Sequence, residues 1–567
     1  MPDPPIAYHP DLAFDEVVGP DGSLRPAGRT LVPAMAEMDP AVLRRQAARI
    51  DRLLETRGVV FSHAGEERVL SLDPLPRPIL ADEWELVDSG VRQRVRALER
   101  FLEDVYGPAE VIRDGVVPRQ VVLSARHFSR VAHGWRPAGG VRIHVAGVDL
   151  VRDRHGRFLV LEDNVRTPSG AAYVLENRRV MAEVHPRLLA AAGVRPVSDY
   201  PARLLRALWA VAPIGRPDPT VVLLTPGVHN PAYFEHAQLA RLMGIPLVEG
   251  EDLRFHNRRI WLRRVDGLAP VDVVYRRLDD DYLDPLSGRA DSLLGCPGLA
   301  LAARLGTVTV ANAIGNGVAD DKLVYTYVPD LIRYYLGEEP KLPNAPTYRL
   351  IDPDERATAL GRLDELVIKP TDGAGGHGIV FGPTASRAQL AAARRAIEAD
   401  PRAWIAQEVI DLSTVPTVTD TGLAPRHVDL RPFAIQDGTD VWVLPGGLTR
   451  VALRADSLLV NSSQGGGAKD TWVVTGPQPT RDSLPRPRDV TVPASAAPVV
   501  RSEGGFLSTA PLQDQAGPPP GGLPTVGEER GRRRPATGSG RGRLAGRTPE
   551  PPPPSRAGGA RDRELRC

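Results

Sequence analysis

The sequence predicts a mixed α/β fold of the α+β kind, with a small parallel sheet inside it and a C-terminal tail that lacks a core. Three observations carry this prediction. β-type apolar runs bracket a glycine-rich loop at 367–381. Strand and helix patterns alternate over 220–275. Beyond residue 476 the periodic apolar segments give way to proline, glycine and arginine.

The elements follow in order. Val42, Leu43, Ala47, Ile50, Leu53 and Leu54 recur at helical spacing, which predicts an amphipathic helix over 40–57. A second helix is expected over 91–105, then strands at 120–123, 141–145 and 158–161. The apolar run 220–224, the helical pattern 232–243 and short strands at 246–248 and 272–275 make the β-α-β region. A helix is expected over 323–335 and another over 386–397, with strands at 404–410, 428–436, 441–444 and 448–453. The stretch 476–567 has too little apolar surface to offset the entropy of ordering it, so it is expected to be disordered.

Composition narrows the function classes. A net charge of +1 over 567 residues gives no general argument for nucleic acid or an anionic membrane. The basic clusters at 530–534 and 541–547 can touch nucleic acid, but a solvated low-complexity tail accounts for them better. No apolar run approaches the ~20 residues that span a bilayer. The N-terminus lacks the charged start and apolar core of a signal peptide, so a cytoplasmic location is expected. Cys296 and Cys567 are too few for a disulfide framework or a cysteine zinc site.

The chemistry concentrates in five places. The first is Lys369-Pro370 followed by Gly373, Gly375, Gly376 and Gly378. A lysine beside such a loop suits a polyphosphate, because the loop brings backbone N–H groups close to its oxygens and the ammonium neutralises charge. The chain then re-enters a strand, which a P-loop or dinucleotide fingerprint would not do. An ordinary hairpin turn needs fewer glycines.

The second is a hairpin around 153–156, with Asp149 on one strand and Glu162 and Asn164 two apart on the other. Two carboxylates and a carboxamide on one surface suit Mg²⁺; an exposed hairpin with solvated acids fits the same pattern. Asp153 and Asp163 read as solvated acids. The following loop, 165–170, carries Ser169 and Gly170 as donors for a substrate carboxylate.

The third is Asp320-Asp321-Lys322. The acids read as ordinary helix caps, and Lys322 as either a surface residue or a second phosphate ligand. The fourth is the strand carrying Gln407, Glu408, Val409 and Ile410, whose backbone can read adenine and whose Glu408 can meet ribose. The fifth comprises Asp429, Arg431 and Phe433 on one strand face, then Arg450 and a loop at 461–470. Arg431 suits either a structural pair with Asp429 or a phosphate. The cluster Tyr275-Arg276-Arg277 can hold an anionic substrate or form a salt-bridged surface.

In their joint order these segments resemble the ATP-grasp superfamily of carboxylate–amine ligases, and within it the circularly permuted type 2 proteins, over about 8–475. Glu162 and Asn164 precede Lys369, the reverse of the standard order. The resemblance implies a circularly permuted ATP-grasp fold with a pre-ATP-grasp-like subdomain. It implies an N-terminal helical region with the hairpin (1–215), the small β-α-β subdomain (216–320), a nucleotide-binding region (321–475) and the tail (476–567). It makes Asp149, Glu162 and Asn164 the Mg²⁺ ligands and Lys322 and Lys369 phosphate ligands. Gly373, Gly375, Gly376 and Gly378 become the flap, Gln407, Glu408, Val409 and Ile410 the adenine hinge, and Arg431 and Arg450 the catalytic cations.

The implied cofactors are ATP and Mg²⁺, and the implied partners a small-molecule or peptide carboxylate and an amine, joined through an acyl phosphate. A non-catalytic ATP-binding scaffold and a kinase acting on a hydroxyl are the alternatives. One departure stands out. The related glutathionylspermidine synthetase has an arginine two residues before its first metal aspartate, whereas Gly147 stands here. The missing cation must then come from elsewhere, with Arg142, Arg166 and Arg450 as candidates.

Overall fold

A computed structural model describes residues 8, 10, 13–29, 40–63, 66–213, 215, 217–373, 378–454, 460 and 466–475. The expected disorder of 476–567, the flap glycines Gly375 and Gly376, and residues 461–465 of the expected 461–470 loop lie outside the described residues, while 467–470 belong to the strand Gly467–Val474. No described helix is long and apolar enough to cross a membrane.

The architecture is a central nine-stranded sheet and two four-stranded sheets. The central sheet runs Asp440–Val443, Phe433–Asp437, Val145–Arg152, Gly422–Arg431, Leu448–Val451, Gly467–Val474, Arg77–Leu80. Phe158–Asn164 adds to Val145–Arg152, and Thr414–Thr419 to Gly422–Arg431. Its neighbours are antiparallel except Gly467–Val474 and Arg77–Leu80. The helix Ala81–Val105 buries Trp84, Val91, Leu98 and Phe101 in the core and packs on the helix Val328–Leu336.

The β-α-β expectation is realised as a parallel sheet ordered Thr309–Ala311, Val273–Arg276, Val221–Leu224, Leu247–Val248. The strand–loop–strand around Lys369 lies in an antiparallel sheet ordered Thr347–Arg349, Trp404–Glu408, Leu366–Pro370, Val380–Phe381.

Several local expectations need correction, each for a physical reason. The segment 120–123 is helical, within Arg119–Leu123, and begins just after Pro118. A short apolar run carries no period that separates the two states. Of 141–145 only Val145 joins a strand. The Arg142 and Ile143 N–H groups donate to Glu99, both at 2.7 Å, and those of His144 and Val145 to Asn312 Oδ1 at 2.7 and 2.8 Å. Side chains there take the donors that a neighbouring strand would have used. The strand expected over 428–436 divides at Pro432, which has no N–H to give a ladder. The helix expected over 323–335 divides into Lys322–Tyr325 and Val328–Leu336, with Pro329 in the first turn of the second.

Asp163 is not solvated. It is buried and accepts two hydrogen bonds from Arg94, at 2.6 and 2.8 Å. Asp153 is also buried and accepts from the N–H groups of His155 and Arg157, which closes the hairpin turn.

Asn312 joins the small parallel sheet to the central one. Besides accepting from His144 and Val145, its Nδ2 donates to the carbonyls of Val145 and Val165, at 2.7 and 2.8 Å. Replacing it by alanine strands several buried backbone groups, each costing ~1–3 kcal/mol when unsatisfied. Asn312→Ala should therefore lose about 3 kcal/mol or more, read as a lower urea midpoint at unchanged slope.

Candidate functional site

A cleft opens between the antiparallel sheet and the central sheet. Lys369, Gln407, Glu408, Val409 and Ile410 line one wall, and Asp149, Glu162, Asp429, Arg431 and Arg450 the other, with Lys322 and Gly373 at one end. It encloses about 1060 Å³ counting its open mouth.

Strand register builds the acidic wall. Asp149 faces Glu162 across the Val145–Arg152/Phe158–Asn164 pair, and Asp429 faces Arg450 across the next pair but one. The arginines interlock with the acids. Arg431 grips Asp149 with Nε and Nη2, the latter at 2.7 Å, while Arg450 Nη2 donates to Asp149 Oδ2 at 2.8 Å. Arg450 Nε also donates to Asp429 Oδ2 at 2.9 Å. Burial would raise the Asp149 carboxyl, but the two guanidiniums hold it well below the usual carboxylate range.

The lysines are positioned by neutral and acidic acceptors. Lys322 Nζ lies 3.0 Å from Glu162 Oε2 and donates to the Gly373 carbonyl at 2.6 Å, at the root of the glycine loop. Lys369 Nζ donates to Gln407 Oε1 at 2.6 Å, and Gln407 Nε2 in turn donates to Thr347 Oγ1 at 3.0 Å. Burial, with Lys322 nearby, pushes the Lys369 ammonium down to about 8, against the pull of Glu162. Gln407 thus positions Lys369, a part its place in a hinge strand did not announce.

Glu408, expected to meet ribose, lines the cleft and is already engaged by neighbours. Its carboxylate accepts from Arg362, at 2.9 and 3.2 Å, and from the Tyr348 hydroxyl at 2.9 Å. Past it, the N–H and C=O groups of Val409 and Ile410 make no backbone hydrogen bond among the described residues, so they stand free at the cleft wall.

Gly147 has a steric reason. A Cβ there would lie 3.1 Å from Pro168 Cβ and 3.4 Å from Arg431 Cδ. The stem of Arg431 runs beside this position. Arg142 is not a substitute, since it is buried against the Tyr106 ring and donates to the Trp135 carbonyl at 2.5 Å.

A second cavity adjoins the first and shares Glu162, Lys322, Gly373, Arg431 and Arg450 with it. Asn164 lines this one, and its Nδ2 is buried with no partner among the described residues. So do Arg166, Ser169 and Asp320. Gly170 is not a free donor, because its N–H bonds Glu235 at 2.6 Å. The Arg276-Arg277 pair is structural. Arg276 binds the carbonyls of Asn312 and Leu278, at 2.8 and 2.6 Å, and Arg277 pairs with Glu235 at 3.0 Å. Lys469 is likewise internal, held by Asp73 at 2.6 Å.

Three comparisons bear on this arrangement. Residues 76–452 match the family model described as circularly permuted ATP-grasp type 2. An uncharacterized protein of Mycobacterium tuberculosis is 54% identical over 491 residues, 87% of this chain and 88% of its own. A Frankia casuarinae protein named "Putative glutamate--cysteine ligase 2-2" is 45% identical over 473 residues, which is 82% of this chain but only 54% of that protein. Among solved structures, a glutathione synthetase-like effector from Globodera pallida superposes with a TM-score of 0.53, covering 77% of this chain and 98% of its own. At 14% identity that likeness concerns the fold alone.

The interlock itself can be tested. Arg450 is the cation bonded to the buried Asp429, so Arg450→Met should cost about 3–5 kcal/mol in denaturant unfolding. The double variant Arg450→Met/Asp429→Asn should recover much of it, since the uncompensated charge is then gone.

Proposed function

The chain belongs to the circularly permuted ATP-grasp type 2 family, and on that premise we propose that it is a MgATP-dependent carboxylate–amine ligase. One observation carries the reading. Two lysines and two arginines converge with Asp149 and Glu162 at one end of a cleft whose other wall offers the unbonded backbone of Val409 and Ile410.

The residues suit each part of the nucleotide. Val409 and Ile410 present the N–H and C=O pattern that an adenine edge needs, and Lys369 and Lys322 would meet the phosphates. Gly373 and Gly378 flank the glycine loop, the proposed flap. Among the described residues no cluster of three or more His, Cys, Asp or Glu side chains could hold a metal. That is no obstacle for Mg²⁺, which takes one or two carboxylates and fills its shell with water and phosphate oxygens. Glu162, with a quarter of its side chain exposed, is the more available ligand. Asp149 would join as its arginines turn to the incoming anion, and Asn164 lies on the same strand face as Glu162. When bound, the metal supplies charge neutralisation at the transferring phosphoryl group.

The chemistry is two displacements. A substrate carboxylate oxygen attacks the γ-phosphorus of ATP, the bond to the β-γ bridging oxygen breaks, and ADP leaves with an acyl phosphate remaining. An amine then attacks the acyl carbon, the C–N bond forms, and phosphate departs with the C–O electron pair. Lys369, Lys322, Arg431 and Arg450 stabilise the charge that spreads over the phosphoryl oxygens, and the fixed cleft holds the reactants in line.

Titration calorimetry of MgATP should show Lys369→Met and Glu162→Gln each losing about tenfold affinity or more; wild-type affinity in both overturns the assignment. A pool screen by mass should find ATP-dependent amide products, whereas phosphoesters would point to a kinase. The Lys369 ammonium has a definite pH signature. It is charged below about 8 and neutral above, and bound phosphate favours the charged form. Nucleotide affinity should therefore fall as pH rises past about 8. Binding just above that pH should take up a proton, seen as a buffer-dependent heat, and the uptake should vanish in Lys369→Met.

A further inference from the structure

The second cavity carries cations and acids together. Where it adjoins the nucleotide cleft stand Lys322, Arg431 and Arg450, with Glu162 beside Lys322. At the far end a single guanidinium, Arg166, faces two carboxylates. Its Nε donates to Asp320 Oδ2 over a long 3.3 Å, and its Nη1 lies 3.4 Å from Asp279. Nη1 also lies 2.9 Å from His127 Nε2, and that imidazole is kept neutral by burial and by Arg166 itself. Asp320 has one close partner, the Val165 N–H, donating to Oδ1 at 2.6 Å. Its Oδ2 therefore keeps capacity for another donor.

The loop between the two ends is arranged to give rather than receive hydrogen bonds. The Arg166 carbonyl accepts from Asn312 and the Ser169 carbonyl from Arg431, both at 3.2 Å. The N–H groups of Thr167 and Ser169 have no backbone partner among the described residues. The cavity thus runs from cations, past free N–H donors, to an acid with a spare lone pair.

We propose that this second cavity admits the acceptor amine and that Asp320 removes the proton from its ammonium form. The inference rests on the ligase reading and adds the polarity of the nucleophile and the identity of its base. The amine enters as a cation towards the Asp320 carboxylate. Its first proton passes to Asp320 Oδ2, which leaves a nitrogen lone pair free to attack the acyl carbon. The Thr167 and Ser169 N–H groups lie where the developing oxyanion needs donors. The C–O bond to phosphate breaks, the second nitrogen proton goes with the departing phosphate, and Asp320 returns its proton to water. Burial supports the role by pushing the Asp320 carboxyl up to about 6, a value suited to accepting a proton near neutrality, against the pull of Arg166 and Lys322 and with Asp279 adding to the rise.

The test uses the full chain loaded with a nonhydrolysable MgATP analogue, glycinamide as the amine probe and malonate as the anion probe, followed by ligand-observed NMR. Glycinamide should bind saturably, and Asp320→Asn, which keeps an oxygen for the Val165 N–H, should weaken it about tenfold. Between about pH 5 and 7 the probe stays cationic, so wild-type affinity should rise as Asp320 ionises near 6. The profile should be flat in Asp320→Asn. In Arg166→Gln, which removes the cation holding the carboxyl down, its midpoint should move to higher pH. Preferential malonate binding, glycinamide binding indifferent to Asp320→Asn, or no saturable amine binding would each overturn the proposal. Affinity for the nucleotide analogue, read in the same samples, separates this outcome from failure of the ligase reading itself.

Discussion

The clasp of Asp149 between Arg431 and Arg450 is the interaction on which the rest of the site depends. It pairs charges that would otherwise repel within the cleft, and it does so across three strands of one sheet. Buried pairs of this kind rarely add much net stability, because desolvation consumes most of the attraction. What they secure is geometry. Each guanidinium is held in one plane by a carboxylate. Gly147 is part of this arrangement, because a Cβ there would press on Pro168 and touch the Arg431 stem.

The same economy governs the lysines. Neither is left bare: Gln407 holds Lys369, and Glu162 with the Gly373 carbonyl holds Lys322. Lys322 thus ties the acidic hairpin to Gly373 through one ammonium.

Much of this was legible in the sequence. Lys369 with its glycines, and Glu162 with Asn164, are local patterns whose chemistry is set by spacing of a few residues, and Pro432 announces a break to anyone counting N–H donors. What was not legible depends on distant partners. Asp163 resembles a surface acid until Arg94, from another helix, is brought to it. The strand expected at 141–145 fails because Glu99 and Asn312 supply acceptors that no local pattern predicts. The hold of Arg362 and Tyr348 on Glu408 is another link that no local pattern announces. Each miss concerns a charged or amide side chain whose partner lies far along the chain, where periodicity carries no information.

The parallel pairing of Arg77–Leu80 with Gly467–Val474 has a consequence for biosynthesis. These strands share a sheet with the acidic hairpin, and Lys469 reaches back to Asp73 across 396 residues. As the chain leaves the ribosome, the small parallel sheet and the Lys369 sheet contain all their strands early and can fold as they emerge. The central sheet must wait for its last strand, and until then Arg77–Leu80 lacks the partner Gly467–Val474. Contacts this distant are slow to form and leave strand edges exposed in the interval. The central sheet is therefore completed only after residues 467–474 have left the ribosome.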